Sequence, residues 1–289
     1  MKKVILIKME NKSVAIQSTV LTYNFPQAGK KISHLAIGAH PDDVEIFAFN
    51  AIHQCYQNND KHFAAIICSN GSGAPAYGEF KEKSKDEIVK IRKEEQEKAA
   101  QIGNYSGLIH FNLESEVLKK GDEVFVNDLK ALIEFFKPDY IYTHSPFDDH
   151  KTHRCTLRAC LQALQMINDK SWLKGFYACE VWGSLDWLPR QYKYVLGENE
   201  GDDLQMQLLD CFYSQNIGSQ KRYDLGTIGR KLGNATFFES DKGNLYTHQS
   251  YALDLSSVIN QNNFDISKYC VSIVADYLES IKNKLVDLQ

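Results

Sequence analysis

Short apolar runs alternate with longer amphipathic segments along most of this chain. From His34 the order is a strand (Leu35 to Ile37), a helix (Asp42 to Asn58), a strand (Ala64 to Cys68) and a long charged helix (Lys83 to Ile102). A strand (Leu108 to Phe111), a helix (Val124 to Phe136), a strand (Tyr140 to Thr143) and a helix (Thr152 to Met166) follow. Strand-length apolar runs separated by helix-length segments predict βαβ units. They therefore predict a mostly parallel sheet in a three-layer αβα, Rossmann-like α/β fold. Residues 1–32 read as an N-terminal addition of short strands, with Val14 and Ile16 alternating inside Ser13 to Tyr23 and a further strand at Val4 to Ile7. Later, Gly175 to Trp182 and Lys193 to Leu196 read as strands, Leu204 to Gln215 and Arg222 to Lys231 as helices, and Ile266 to Leu288 as an amphipathic terminal helix. No repeat or linker interrupts the 289 residues. The expectation is one domain, with a strand extension (1–32), a motif-bearing core (33–160) and a C-terminal portion (161–289). The helix Asp203 to Tyr213 and the segment Asn234 to Glu239 are expected at the pocket rim.

The polar residues that interrupt this pattern are informative. Ala36 to Glu45 reads Ala-Ile-Gly-Ala-His-Pro-Asp-Asp-Val-Glu, placing His40, Asp42 and Asp43 just past the carboxyl end of the first core strand. In open α/β sheets ligands bind at that edge. Imidazole and carboxylate suit a divalent metal, and an adjacent carboxylate can act as a base on metal-activated water. About 110 residues later, Asp139 to Arg154 repeats the layout, with His144 at a strand end and His150 and His153 at a helix start. Two adjacent aspartates alone also suit a helix N-cap, and two histidines three apart suit an ordinary helix start. The combination favours a metal-centred hydrolytic site.

His40-Pro41-Asp42-Asp43 with a distant His150-x-x-His153-Arg154 resembles the PIG-L/LmbE superfamily of zinc-dependent N-deacetylases. So does the helix carrying Arg92 and Glu95, which runs into Ile102-Gly103. The resemblance covers roughly residues 33 to 160. It implies that His40, Asp43 and His153 hold zinc, that Asp42 is the general base, and that His150 steadies the oxyanion as a cation, the proton reaching the leaving amine through His150 or by return from Asp42. It also implies that Arg92 touches the sugar or its substituent. The implied substrate is a small N-acetylated amino sugar or sugar conjugate. Ferrous iron also fits a His/Asp/His set. One departure stands out. Thr152 takes the place of an aspartate that often supports the catalytic histidine in this family, and Asp148 or Asp149 is the nearest substitute.

Asn70, in the glycine-containing loop Ser69 to Ala74, is a candidate substrate hydrogen-bonding residue; that loop lacks a Walker lysine and the dinucleotide spacing. His144 is expected either behind the ligands in a supporting position or at the rim, and is a further substrate-binding candidate. Glu45 is either a pocket residue or a first-turn helix acid. His34, His53, His62, His110 and His248 read as structural, with His248 in a region where a distant loop could close over the site. A net charge of −4 argues against nucleic acid as a partner, with Lys221, Arg222, Arg230 and Lys231 the one basic cluster noted. Seven scattered cysteines without a CxxC pair fit reduced thiols, and no apolar stretch reaches transmembrane length. Together these predict a cytoplasmic protein without an anchor, and leave a homo-oligomer open. The competing reading is a non-catalytic sugar or nucleotide-sugar binding module on the same fold.

Overall fold

The computed structural model describes residues 19–22, 31–73, 77–239, 242–261 and 264–288. The expected strand Val4 to Ile7 and most of Ser13 to Tyr23 lie outside these residues. The strands are β1 (Thr19–Thr22), β2 (His34–Gly38), β3 (Phe63–Ser69), β4 (Gly107–Leu113), β5 (Tyr140–His144), β6 (Gly175–Cys179), β7 (Lys193–Glu198) and β8 (His248–Asp254). The helices are α1 (Asp43–Phe47), α2 (Phe49–Cys55), α3 (Lys85–Ile102), α4 (Ser115–Lys120), α5 (Glu123–Phe136), α6 (Lys151–Gln165), α7 (Asp202–Leu209), α8 (Tyr223–Thr236) and α9 (Ile266–Leu285).

Among the described residues the strands form one sheet in the order β1-β4-β3-β2-β5-β6-β8-β7. The five strands β4, β3, β2, β5 and β6 run parallel, while β1, β8 and β7 pair antiparallel at the edges. Buried apolar clusters on both faces explain why β2 and β3 read as unbroken apolar runs. The chain leaves β2 towards β3 and β4, then returns to place β5 on the other side of β2. The order therefore reverses between β2 and β5. At such a reversal the loops after neighbouring strands diverge and leave a crevice at the carboxyl ends.

Several elements differ from expectation. The first helix breaks at Ala48 into α1 and α2. The helix expected over Leu204 to Gln215 ends at Leu209, and turns follow. Helix α8 extends to Thr236, so Asn234 is helical rather than part of a rim loop. Its side chain is buried against Glu180 Oε1 (2.8 Å) and the Gln249 carbonyl (3.2 Å). His248 opens β8, a strand the sequence pattern did not suggest, and its Nδ1 lies 2.9 Å from Thr247 Oγ1. The basic cluster is dispersed rather than gathered into a patch. Lys231 is buried against Gln205 Oε1 (3.1 Å), Arg230 donates to the Val181 carbonyl, and Arg222 pairs with Asp224 at 2.6 Å.

His34 gives the core an acid sensitivity. Its ring stacks on Tyr140 and Tyr142, with Nδ1 3.0 Å from the Tyr142 hydroxyl. Burial, then Lys61, lower its pKa to about 4. Because the folded value lies below the unfolded one, this contribution is complete above pH 6.5 and is lost as pH falls towards 4. A drop of that size is worth about 3 kcal/mol. Unfolding free energy measured between pH 7 and 4 is expected to fall more steeply in the wild type than in His34→Gln. Coincident slopes would remove His34 from the account.

Candidate metal centre

Strand β2 ends at Gly38, where an added Cβ would lie 2.9 Å from Val44 Cγ1 and 3.2 Å from Asp43 Cβ. The missing side chain lets the start of α1 fold back onto the strand end. The loop is held by the Ala39 amide donating to His144 Nε2 (2.9 Å) and the His40 amide donating to Asp43 Oδ2 (2.6 Å). Helix α6 enters from the neighbouring loop. Asp148 Oδ1 accepts from the His150 amide (2.7 Å) and Oδ2 from the Trp182 amide (3.1 Å), and Arg154 donates to the Asp148 carbonyl. His150 is therefore the N-cap residue of α6, and His153 lies one turn inside it.

These two loops bring three donors together. His40 Nδ1 lies 3.2 Å from His153 Nε2 and 3.3 Å from Asp43 Oδ2, and His153 Nε2 lies 3.3 Å from Asp43 Oδ1. A tetrahedral zinc ion with bonds of about 2.1 Å spaces its ligands about 3.4 Å apart. The pairwise distances are of that size, with Asp43 turning a different oxygen to each histidine, and His150 and His144 also bring donors within reach of His153. Two imidazole nitrogens at 3.2 Å also repel unless a proton or cation lies between them. The electrostatics agree with the geometry. Burial works against a charged His153, yet Asp43 and Asp148 carry its pKa up to about 10. Burial would raise Asp43, but His153 and His144 pull it well below the usual carboxylate range.

Asp148 is the outer partner of this group, its Oδ2 3.1 Å from His153 Nδ1. The carboxylate considered as a substitute for the residue missing at 152 thus faces His153, not the His150 ring. Thr152 is buried, and its hydroxyl has no hydrogen-bond partner among the described residues. Loss of such an outer carboxylate typically costs 10–100-fold in metal affinity. Asp148→Asn is expected to weaken zinc binding by that factor in a competition titration against a chelator. Unchanged affinity would count against the role.

One expectation is narrowed and one needs correction. Of the two places expected for His144, it takes the one behind the ligands rather than the rim, so it is not placed to touch substrate. It is fully buried at the end of β5, stacked on His153 (centroids 3.9 Å apart), with its Nε2 taken by the Ala39 amide and 3.2 Å from Asp43 Oδ2. Its place is behind Asp43, because strand β5 is covered on both faces. His150, expected as a cation, is exposed at the helix start, its ring 4.9 Å from that of His40 and 4.6 Å from that of His153. Partial burial, then these two imidazoles, lower its pKa to about 4, so its ring is neutral near pH 7.

Asp42 stands beside the donor set. It is buried, with its backbone at φ 94°, a region costly for a residue with a Cβ. Burial, then Asp43, push its carboxyl well above the usual range, while Arg92 works the other way. Arg92 belongs to a buried stripe of α3 that also contains Ile88, Gln96, Ala99 and Ala100. Its guanidinium donates to the Gly71 carbonyl, so it braces the loop that follows β3. The side-chain oxygen of Asn70 is spent on the Ser72 amide at 3.0 Å, shaping the same loop. Sequence reasoning noted Glu45 but missed Gln96, Gln215 and Tyr105, which complete the surroundings of Asp42. Gln96 Oε1 accepts from the Asp42 amide (3.2 Å), Gln215 Nε2 donates to the Pro41 carbonyl (3.0 Å), and Glu45 accepts from Gln96 and from Tyr105, each at 2.7 Å. Burial raises Glu45 to about 7 despite those two bonds. Tyr223, at the start of α8, is also close enough for Asp42 and Asp43 to add to the rise in its pKa that burial causes. The position of Gln96, one helical turn after Arg92, was the available signal.

Residues 35–164 match the family model described as "PIG-L: GlcNAc-PI de-N-acetylase". That segment is similar to the PIG-L family. The resemblance read from the two histidine motifs is thereby borne out. A relative of the PIG-L segment from Escherichia coli (strain K12), described as "Uncharacterized deacetylase YaiS", is 24% identical over 179 residues, covering 59% of this chain and 86% of the relative. Among solved structures, N,N'-diacetylchitobiose deacetylase from Pyrococcus horikoshii superposes with a TM-score of 0.63 at 13% identity, covering 80% of this chain and 86% of its own. The 4-carboxy-2-hydroxymuconate hydratase GalB from Pseudomonas putida KT2440 gives 0.58 at 15%, covering 81% and 99%. At these identities the structural likeness shows the α/β fold around the PIG-L segment. No helix among the described residues is long and apolar enough to cross a membrane.

Proposed function

We propose that this chain is a metal-dependent N-deacetylase acting on an N-acetylated amino sugar or sugar conjugate. The observation that carries the reading is the triad His40, Asp43 and His153, with separations of 3.2 to 3.3 Å, beside the buried carboxyl of Asp42. The family match, the deacetylase description of the Escherichia coli relative and the chitobiose deacetylase among the neighbours support it. GalB, a hydratase, is a reminder that the fold alone selects no chemistry. The reading therefore rests on the donor set and the motifs.

His40, Asp43 and His153 would hold zinc. When bound, such an ion polarises the amide carbonyl and lowers the pKa of water. Asp42 receives the proton as water attacks the carbonyl carbon, since a carboxyl raised by burial is a better base near neutral pH than a solvated one. His150, exposed at the site and carrying a ring N–H, donates to the oxygen on which charge develops. The proton then passes to the departing amine nitrogen, restoring Asp42. Asp148 and His144 hold His153 and the Asp43 loop in place, and the positive charge of Arg92 favours the ionised form of Asp42. A binding module without activity is disfavoured by Asp42 itself, because binding alone would not maintain a strained, buried carboxyl.

Acetate release from a panel of N-acetyl sugars and nucleotide sugars, with and without zinc, tests the reading. Zinc-dependent release from at least one sugar is expected. Stoichiometric zinc binding with no release across the panel would favour the binding-module reading.

A further inference from the structure

The Pro41–Asp42 peptide is gripped from both sides by buried side-chain amides. Its N–H donates to Gln96 Oε1 (3.2 Å), and its carbonyl accepts from Gln215 Nε2 (3.0 Å). Gln96 is fully buried and Gln215 nearly so. The other end of the Gln96 amide is committed as well. Nε2 donates to Glu45 Oε1 at 2.7 Å, and the same oxygen accepts from the Tyr105 hydroxyl at 2.7 Å. A hydrogen-bonded relay thus runs from the end of α3 through the first turn of α1 to the backbone of Asp42, which sits at φ 94°. A single residue in such a conformation persists only when its surroundings over-determine it. The peptide ahead of Asp42 is where those surroundings hold it.

We propose that Gln96 and Gln215 are positioning residues that lock the Pro41–Asp42 peptide, and so aim the Asp42 carboxyl, with Glu45 and Tyr105 fixing the orientation of the Gln96 amide. The proposal rests on the reading of Asp42 as the proton acceptor. Gln96 suits this place because it needs an acceptor towards Asp42 and a donor towards Glu45, and a side-chain amide offers both. The amide assignment follows from its partner, since the Asp42 backbone N–H can only donate and so must meet the Gln96 oxygen, leaving Nε2 for Glu45.

The chemistry suggests a swap. Gln96→Glu keeps the acceptor for Asp42 but faces Glu45 with a second carboxylate. The double variant Gln96→Glu with Glu45→Gln restores one donor and one acceptor at unchanged net charge, and the new glutamine still accepts from Tyr105 with its oxygen. In steady-state acetate release, Gln96→Glu and Gln215→Leu are expected to lose kcat by up to about 100-fold, the cost of misplacing a reacting group by about 1 Å. KM and zinc content are expected to stay unchanged. The swap is expected to regain most of the loss. A purely structural role would move stability without this split or this rescue.

Hydrogen exchange at the Asp42 amide gives a readout that needs no substrate. Exchange is expected about tenfold faster in Gln96→Met, the worth of one buried hydrogen bond, and near wild type in the swap. Unchanged exchange at Asp42 in folded Gln96→Met, or a swap no better than Gln96→Glu, would overturn the proposal. A wild type that releases no acetate but shows the exchange pattern would instead separate failure of the deacetylase reading from failure of the lock.

Discussion

Asp42→Asn is expected to abolish deacetylation while making the protein more stable. As the proton acceptor, Asp42 contributes a general-base effect of 10²–10⁴-fold, so the variant is expected to lose about 1,000-fold in kcat. Stability should move the other way. The wild-type carboxyl is buried, raised in pKa by burial and then by Asp43, and held at φ 94°. Asparagine removes the like-charge contact and tolerates positive φ better than most residues. Relief of about 1 kcal/mol corresponds to a rise in Tm of about 2–4 °C for a chain of this size class. Asp42→Gly removes the backbone strain entirely, and is expected to be just as inactive and at least as stable. Calorimetry, zinc content and acetate release on the same preparations check all three quantities. A variant that loses activity together with stability would mean that Asp42 holds the loop rather than performs the chemistry.

Asp43→Ala is expected to have the second largest effect, on the metal rather than the proton. Asp43 is the residue on which the donor set converges. Oδ1 faces His153, Oδ2 faces His40 and His144, and the His40 amide donates to it at 2.6 Å. Its removal leaves His40 Nδ1 and His153 Nε2 3.2 Å apart with no charge to balance a dication. Zinc affinity is expected to fall by more than the 10–100-fold assigned to loss of the outer carboxylate Asp148. A ligand held only by the folded state adds about 4 kcal/mol when present at 1,000 times its dissociation constant. Wild type should therefore gain Tm on zinc addition, and Asp43→Ala should gain little. An equal zinc-dependent rise in both proteins would move the site elsewhere.

The element pattern was legible because burial on both faces leaves an unbroken apolar run, as in β2 and β3, and because helices such as α5 show a clear apolar face. The misses have physical reasons. Strand β8 contains the polar stretch His248-Gln249-Ser250, all buried, whose polar side chains hid it. The break at Ala48 carries no glycine or proline to announce it. Arg92 lies in a helix dominated by charge, and only the tertiary fold shows that Ile88, Arg92 and Gln96 form its inward stripe.

By itself the sequence determined the fold class, the two histidine-bearing loops and the residue types available at each, since these follow from local periodicity and short motifs. Tertiary structure decided which groups meet. Reversal of strand order between β2 and β5 puts residues 40–43 and 148–153 at one crevice, although over 100 positions separate them. It sent Asp148 to His153 rather than to His150, buried His144 behind Asp43, and closed Gln96 and Gln215 on a peptide remote in sequence from both. Local pattern encodes what each segment offers. Which donor finds which acceptor depends on packing between segments, and no single stretch of chain contains that information.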